Sequence, residues 1–79
     1  MRVVGEIPHP QYKITLFSWN GKYLLKFEAG PYEQTYKVNE TDVTGDEAVK
    51  NLVSENFLNA VTANFKAMHS ALAEAINQI

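Results

Sequence analysis

Cysteine is absent from this 79-residue chain, which excludes disulfide staples, thiolate metal sites and thiol nucleophiles together. Glycine and proline are sparse, at four and three residues. Gly5, Gly21, Gly30 and Gly45 stand apart from one another, so there is no flexible linker and no glycine-rich loop of the phosphate-cradling types. His9 and His69 lie near opposite ends of the sequence, a spacing that matches no standard zinc motif. No apolar run approaches the roughly 20 residues that cross a bilayer as a helix. The opening Met1-Arg2-Val3-Val4-Gly5-Glu6 lacks the apolar stretch of about 7–15 residues that a signal peptide carries. A cytoplasmic protein with no membrane partner is the expectation, and the lack of cysteine is compatible with a reducing compartment. Charge of one sign is missing too. Seven basic residues are spread among nine acidic ones for a net −2, which leaves no visible nucleic-acid footprint.

What is present describes a folding chain. Hydrophobic residues make up 46% and charged residues 20%, values close to those of globular domains and far from those of disordered chains. One domain over residues 1–79 is expected. A chain this short buries only about 60% of the surface it exposes when unfolded, so domains of this size often recruit a disulfide, a metal or a partner subunit. With the first excluded and the second unsupported by spacing, a partner is the remaining support.

Asn20-Gly21 is the strongest local signal. It separates two strand-like runs, residues 12–19 and 22–29, and reads as a two-residue type I′ hairpin turn, because both central positions need positive φ and Asn and Gly accept it most readily. That loop dictates the register: Trp19 faces Lys22, Ser18 faces Tyr23, Phe17 faces Leu24, Leu16 faces Leu25, Ile14 faces Phe27 and Lys13 faces Glu28. Period-two alternation then sorts Tyr12, Ile14, Leu16, Tyr23, Leu25 and Phe27 onto a face suited to a covering helix. Lys13, Thr15, Lys26 and Glu28 fall on the other face, along with three apolar residues, Phe17, Trp19 and Leu24. Gly30-Pro31 ends the second run. A further strand over residues 32–38 turns Tyr32, Gln34, Tyr36 and Val38 to the helix side. Residues 3–7 can add a fourth strand, turning back at Pro8-His9-Pro10.

The helical region follows. Thr44 and Glu47 have the spacing of a capping box, with Asp46 and Glu47 suited to the positive end of a helix dipole. Leu58, Val61, Phe65, Met68, Leu72, Ala75 and Ile79 recur at steps of three and four, which makes one stripe. Val49, Leu52 and Val53 project to another side at 100° per residue, so the helix must kink, break near Ser54-Glu55 or bury two faces. A continuous helix over residues 45–78 would be about 50 Å long, against roughly 27 Å for an eight-residue strand. The fold expected is α+β: a three- or four-stranded antiparallel meander covered on one face by a long C-terminal amphipathic helix, with Ser54 the natural place for a break.

No catalytic constellation emerges, and no cofactor or metal is indicated. His9 reads as a turn residue and His69 as a boundary residue within the helix, beside the apolar stripe. Glu6, Glu28, Glu33 and Glu40 are scattered as solubilising charges, and the four tyrosines suit half-buried strand positions. The features that remain point to association. Phe17, Trp19 and Leu24 form an apolar group on the uncovered face, and Ile76 and Ile79 lie beyond the reach of a short sheet. Together they predict a small non-enzymatic interaction or assembly domain that forms a homodimer or binds another protein. The alternative is a small-ligand pocket between sheet and helix, lined by Tyr23, Tyr36, Phe65 and Met68.

Overall fold

The computed structural model describes residues 1–79. Its elements follow in chain order: β1 (Arg2–Ile7), β2 (Lys13–Trp19), β3 (Lys22–Ala29), β4 (Tyr32–Asn39), a short 3-10 segment (Glu40–Asp42), α1 (Asp46–Asn51) and α2 (Glu55–Asn77). The strands form one antiparallel sheet in the order β1-β2-β3-β4. This is the α+β architecture expected from the sequence, with the fourth strand present.

Turn chemistry sets the sheet. Asn20 and Gly21 both take positive φ, 54° and 76°, and the β2–β3 register runs from Trp19↔Lys22 through Leu16↔Leu25 to Lys13↔Glu28, as a two-residue type I′ turn requires. The β3–β4 connection is also two residues long, with Ala29 opposite Tyr32. Gly30 there has φ of 60°, the conformation that the first position of a type II′ turn demands, and Pro31 supplies the fixed negative φ of the second. Strand β1 joins through a bulge. Val3 opposes Phe17 but Gly5 opposes Leu16, so Val4 is the additional residue and packs against the core.

The core lies between the sheet and the helices. Ile14, Leu16, Tyr23, Leu25 and Phe27 from the central strands meet Val49 of α1 and Val61 and Phe65 of α2. Val49 and the α2 stripe can share this core because the chain breaks between them. After α1 it turns through Leu52 and Val53, and Ser54 caps the second helix, its side chain accepting from the Phe57 N–H at 3.2 Å. The Thr44/Glu47 capping box does not form. The residue preceding α1 is Gly45, at φ 121°, a conformation that favours glycine. Thr44 therefore sits one position too early to cap.

Helix α2 starts over the middle of the sheet and runs out past the end that carries residues 8–11 and 30–31. Phe57 packs edge-on to Phe27 and Tyr36 near its start. Gln34 donates to the Val61 carbonyl at 2.9 Å midway, and Tyr32 meets His69 where the helix leaves the sheet. At 23 residues the helix is about 35 Å long, and the molecule extends 46 Å along its longest axis. The last two turns therefore project past the turns at residues 8–11 and 30–31. No helix is long and apolar enough to cross a membrane.

Because Ser54 closes an otherwise open helix end and Thr44 closes nothing, the two caps separate experimentally. Ser54→Ala should cost about 1 kcal/mol in urea unfolding, while Thr44→Ala should change stability by less than about 0.5 kcal/mol.

Candidate functional site

The residues singled out from the sequence divide among three places. Phe17, Trp19 and Leu24 share the uncovered sheet face, toward the Asn20-Gly21 end. Leu24 is only 8% exposed whereas Trp19 is 52% exposed. Leu24 is therefore not part of the solvent surface as expected, because it occupies a central strand with Phe17 opposite on β2 and Lys37 opposite on β4. The accessible apolar residues here are Met1, Val3 and Trp19, with Phe17 half-buried beside them. Lys26 on this face pairs with Glu28 and Glu33 at 3.7 and 3.6 Å, bonds that are weak at such exposure.

Ile76 and Ile79 lie at the far end of the molecule and on the helix side. The α2 stripe changes character at the sheet's edge. Val61 and Phe65 are buried and Leu58 and Met68 pack against the core, but Leu72 is 46%, Ile76 55% and Ile79 fully exposed. One two-fold contact cannot contain both this overhang and the Trp19 face, since they sit at opposite ends and on opposite sides of the sheet.

Tyr23, Tyr36, Phe65 and Met68 do not converge on one cavity. Tyr23 sits near the hairpin end, where its hydroxyl donates to Asp46 Oδ1 at 2.7 Å and ties α1 to β3. Tyr36 donates to Gln34 Oε1, the same amide that grips the helix at Val61. Both rings serve as core with their hydroxyls committed. Only Phe65 of the four lines the largest cavity between sheet and helix, an open groove of about 580 Å³ at the opposite end.

That groove is walled by Tyr12, Tyr32, Phe65, Lys66, His69 and Ser70. Tyr12 immediately precedes β2 and Tyr32 opens β4, each beside one of the two turns that share this end. Tyr12 is held from three directions: its ring stacks on His9 at 4.9 Å and 7°, tilts against Phe65 at 5.3 Å, and its hydroxyl bonds Thr62 Oγ1 at 2.6 Å. His9 is in turn fixed by its Nδ1, which accepts from the backbone N–H groups of Gln11 and Tyr12 at 3.1 and 3.2 Å. It is a turn residue, as its position between prolines implies, but it also braces the groove. Tyr32 Oη and His69 Nδ1 are 3.1 Å apart. Sequence reasoning passed over this set because its members come from the β1–β2 turn, β4 and α2. The legible signal was the spacing of Lys66, His69 and Ser70, which puts three polar groups on one helical flank.

Elsewhere the molecule offers little chemistry. No three His, Asp or Glu side chains gather closely enough to hold a metal ion, and every buried side-chain nitrogen and oxygen is paired. One tyrosine is electrostatically marked. The Tyr23 hydroxyl is raised above its ordinary value of 10.0, first by the hydrogen bond to Asp46, then by desolvation and the negative charges of Asp46 and Glu40, with Arg2 opposing. A raised value in the folded state means stability that is fully present below pH 10.0 and is lost as pH climbs through the folded value. Wild type should therefore lose its advantage over Tyr23→Phe in alkaline urea titrations, and absorbance titration should show a tyrosinate transition above pH 10.0 that the variant lacks. Compared with protein-family models, curated proteins and solved structures, the chain matches none.

Proposed function

We propose that this chain is a non-enzymatic interaction or assembly domain that works as a homodimer, with the overhanging end of α2 as its contact. The supporting observation is the single stripe that packs on the chain's own sheet as far as Met68 and then continues at steps of three and four through Leu72, Ala75 and Ile79 in solvent, with Ile76 exposed beside it. Apolar residues placed in register beyond their own core are what a second copy would bury, and an isologous pairing sets each overhang against its equivalent. Glu74 is the one charged residue after Lys66, so two antiparallel overhangs bring few like charges together. Cytoplasmic conditions suit such a pairing, because no disulfide takes part in it.

The size of the contact limits its strength. A stable interface buries about 800 Å² per partner, more than two helical turns provide, so pairing is expected in the micromolar range. The Trp19 face stays free in such a dimer and is available to another protein.

Sedimentation equilibrium over micromolar concentrations tests this directly. Wild type should pass from monomer to dimer, and Leu72→Glu with Ile76→Glu should stay monomeric with unchanged helicity, since both side chains are already solvated in the monomer. A wild type that is monomeric throughout, or a double variant that dimerises equally well, contradicts the proposal.

A further inference from the structure

The groove at the two-turn end has a chemistry of its own, and it does not depend on self-association. Three aromatic rings, Tyr12, Tyr32 and Phe65, form its walls, and no acidic side chain is among its lining residues. Lys66 lines it as well. The chain's ion pairs are Lys26 with Glu28, Lys26 with Glu33 and Lys50 with Glu47, so Lys66 has no counter-ion within the molecule. Beside Lys66, at the i+3 and i+4 positions of the same helix, stand His69 and Ser70. Tyr32 Oη and His69 Nδ1 are 3.1 Å apart, and in the tautomer in which Tyr32 donates, the imidazole presents its Nε2–H as a donor. An ammonium, an imidazole and a hydroxyl are thus grouped on one flank of a cleft that also carries three aromatic rings.

We infer that this groove binds a small planar aromatic carboxylate, its ring between Tyr12, Tyr32 and Phe65 and its carboxylate on Lys66, His69 and Ser70. The volume of about 580 Å³ is in the range of small-molecule sites. A flat ring matches walls that interact best through offset or edge-on aromatic contacts. A carboxylate meets the unpaired ammonium through charge-assisted hydrogen bonds, the stronger kind. The walls are preorganised, because Tyr12 is fixed by His9, Phe65 and Thr62 and Tyr32 is joined to His69, so little ordering cost falls on binding. A neutral aromatic would leave Lys66 unanswered, and a non-aromatic acid would leave the rings unused.

The test is an amide-resolved NMR titration of the full chain with 1-naphthoate, beside its neutral counterpart 1-naphthalenemethanol and the non-aromatic cyclohexanecarboxylate. Repeating it in Ile76→Glu makes it independent of dimer formation. Saturable shifts are expected at Gln11, Thr62, Lys66, His69 and Ser70 with 1-naphthoate in both backgrounds. The two controls should bind at least about tenfold more weakly. Lys66→Met, a change at an exposed helix position, should weaken 1-naphthoate by about tenfold while leaving the rest of the spectrum in place. Equal binding of acid and alcohol, full affinity in Lys66→Met, shifts centred on Phe17 and Trp19, or no saturation by about 1 mM would each overturn the inference.

Discussion

A helix longer than the sheet it covers is the constraint from which the rest of this structure follows. Strands of six to eight residues offer a platform of roughly 27 Å at most, and α2 needs about 35 Å. The packed half of the helix is held closely: Val61 and Phe65 enter the core, Gln34 bonds the Val61 carbonyl, and the Tyr12 hydroxyl bonds Thr62. Those attachments determine where the helix lies, and so determine which residues must run out beyond the sheet. Leu72 and Ile79 are exposed through geometry, since they continue the spacing of the buried positions before them, and Ile76 beside them is exposed as well.

The same constraint creates the groove. Where α2 leaves the sheet, it passes over two turns whose flanking tyrosines reach up to it on either side, Tyr12 to Thr62 and Tyr32 to His69. The space beneath is bounded by rings yet open at the end, because no strand continues to fill it. At the opposite end the chain closes on itself. The Glu40 N–H bonds the Gly21 carbonyl, Ser18 bonds Glu40, and Asp46 accepts from Tyr23, so α1 is tied down beside the hairpin. The molecule thus has one sealed end and one unfinished end, and the groove's Lys66 and the exposed stripe are both at the unfinished one.

Much of the fold was legible because local chemistry decided it. Asn20-Gly21 admits few alternatives, and once that turn is placed every partner along β2 and β3 follows. The conflict between Val49 and the Leu58–Ile79 stripe left a kink, a break or two buried faces open, and the structure has the break, with Ser54 as the cap. Thr44 misled because a capping box records spacing without the backbone path, and the φ of 121° at Gly45 takes the chain away from it. Leu24 misled for a related reason: alternation assigns a face, but exposure on that face depends on the neighbours at Phe17 and Lys37. The groove was hidden because it joins residues from three separate segments, and a helical stripe gives a direction without giving the point where the helix crosses the sheet edge.

The central claim is that α2 has two halves that differ only in what they pack against. Amide hydrogen exchange along the helix, measured over a range of protein concentrations, tests it most directly. Amides from Leu58 to Met68 should be protected at every concentration, because the chain's own sheet covers that half. Amides from Ser70 to Asn77 should exchange quickly when dilute and gain protection as concentration rises. Protection that is uniform along the helix, or a C-terminal half whose exchange is indifferent to concentration, would contradict it.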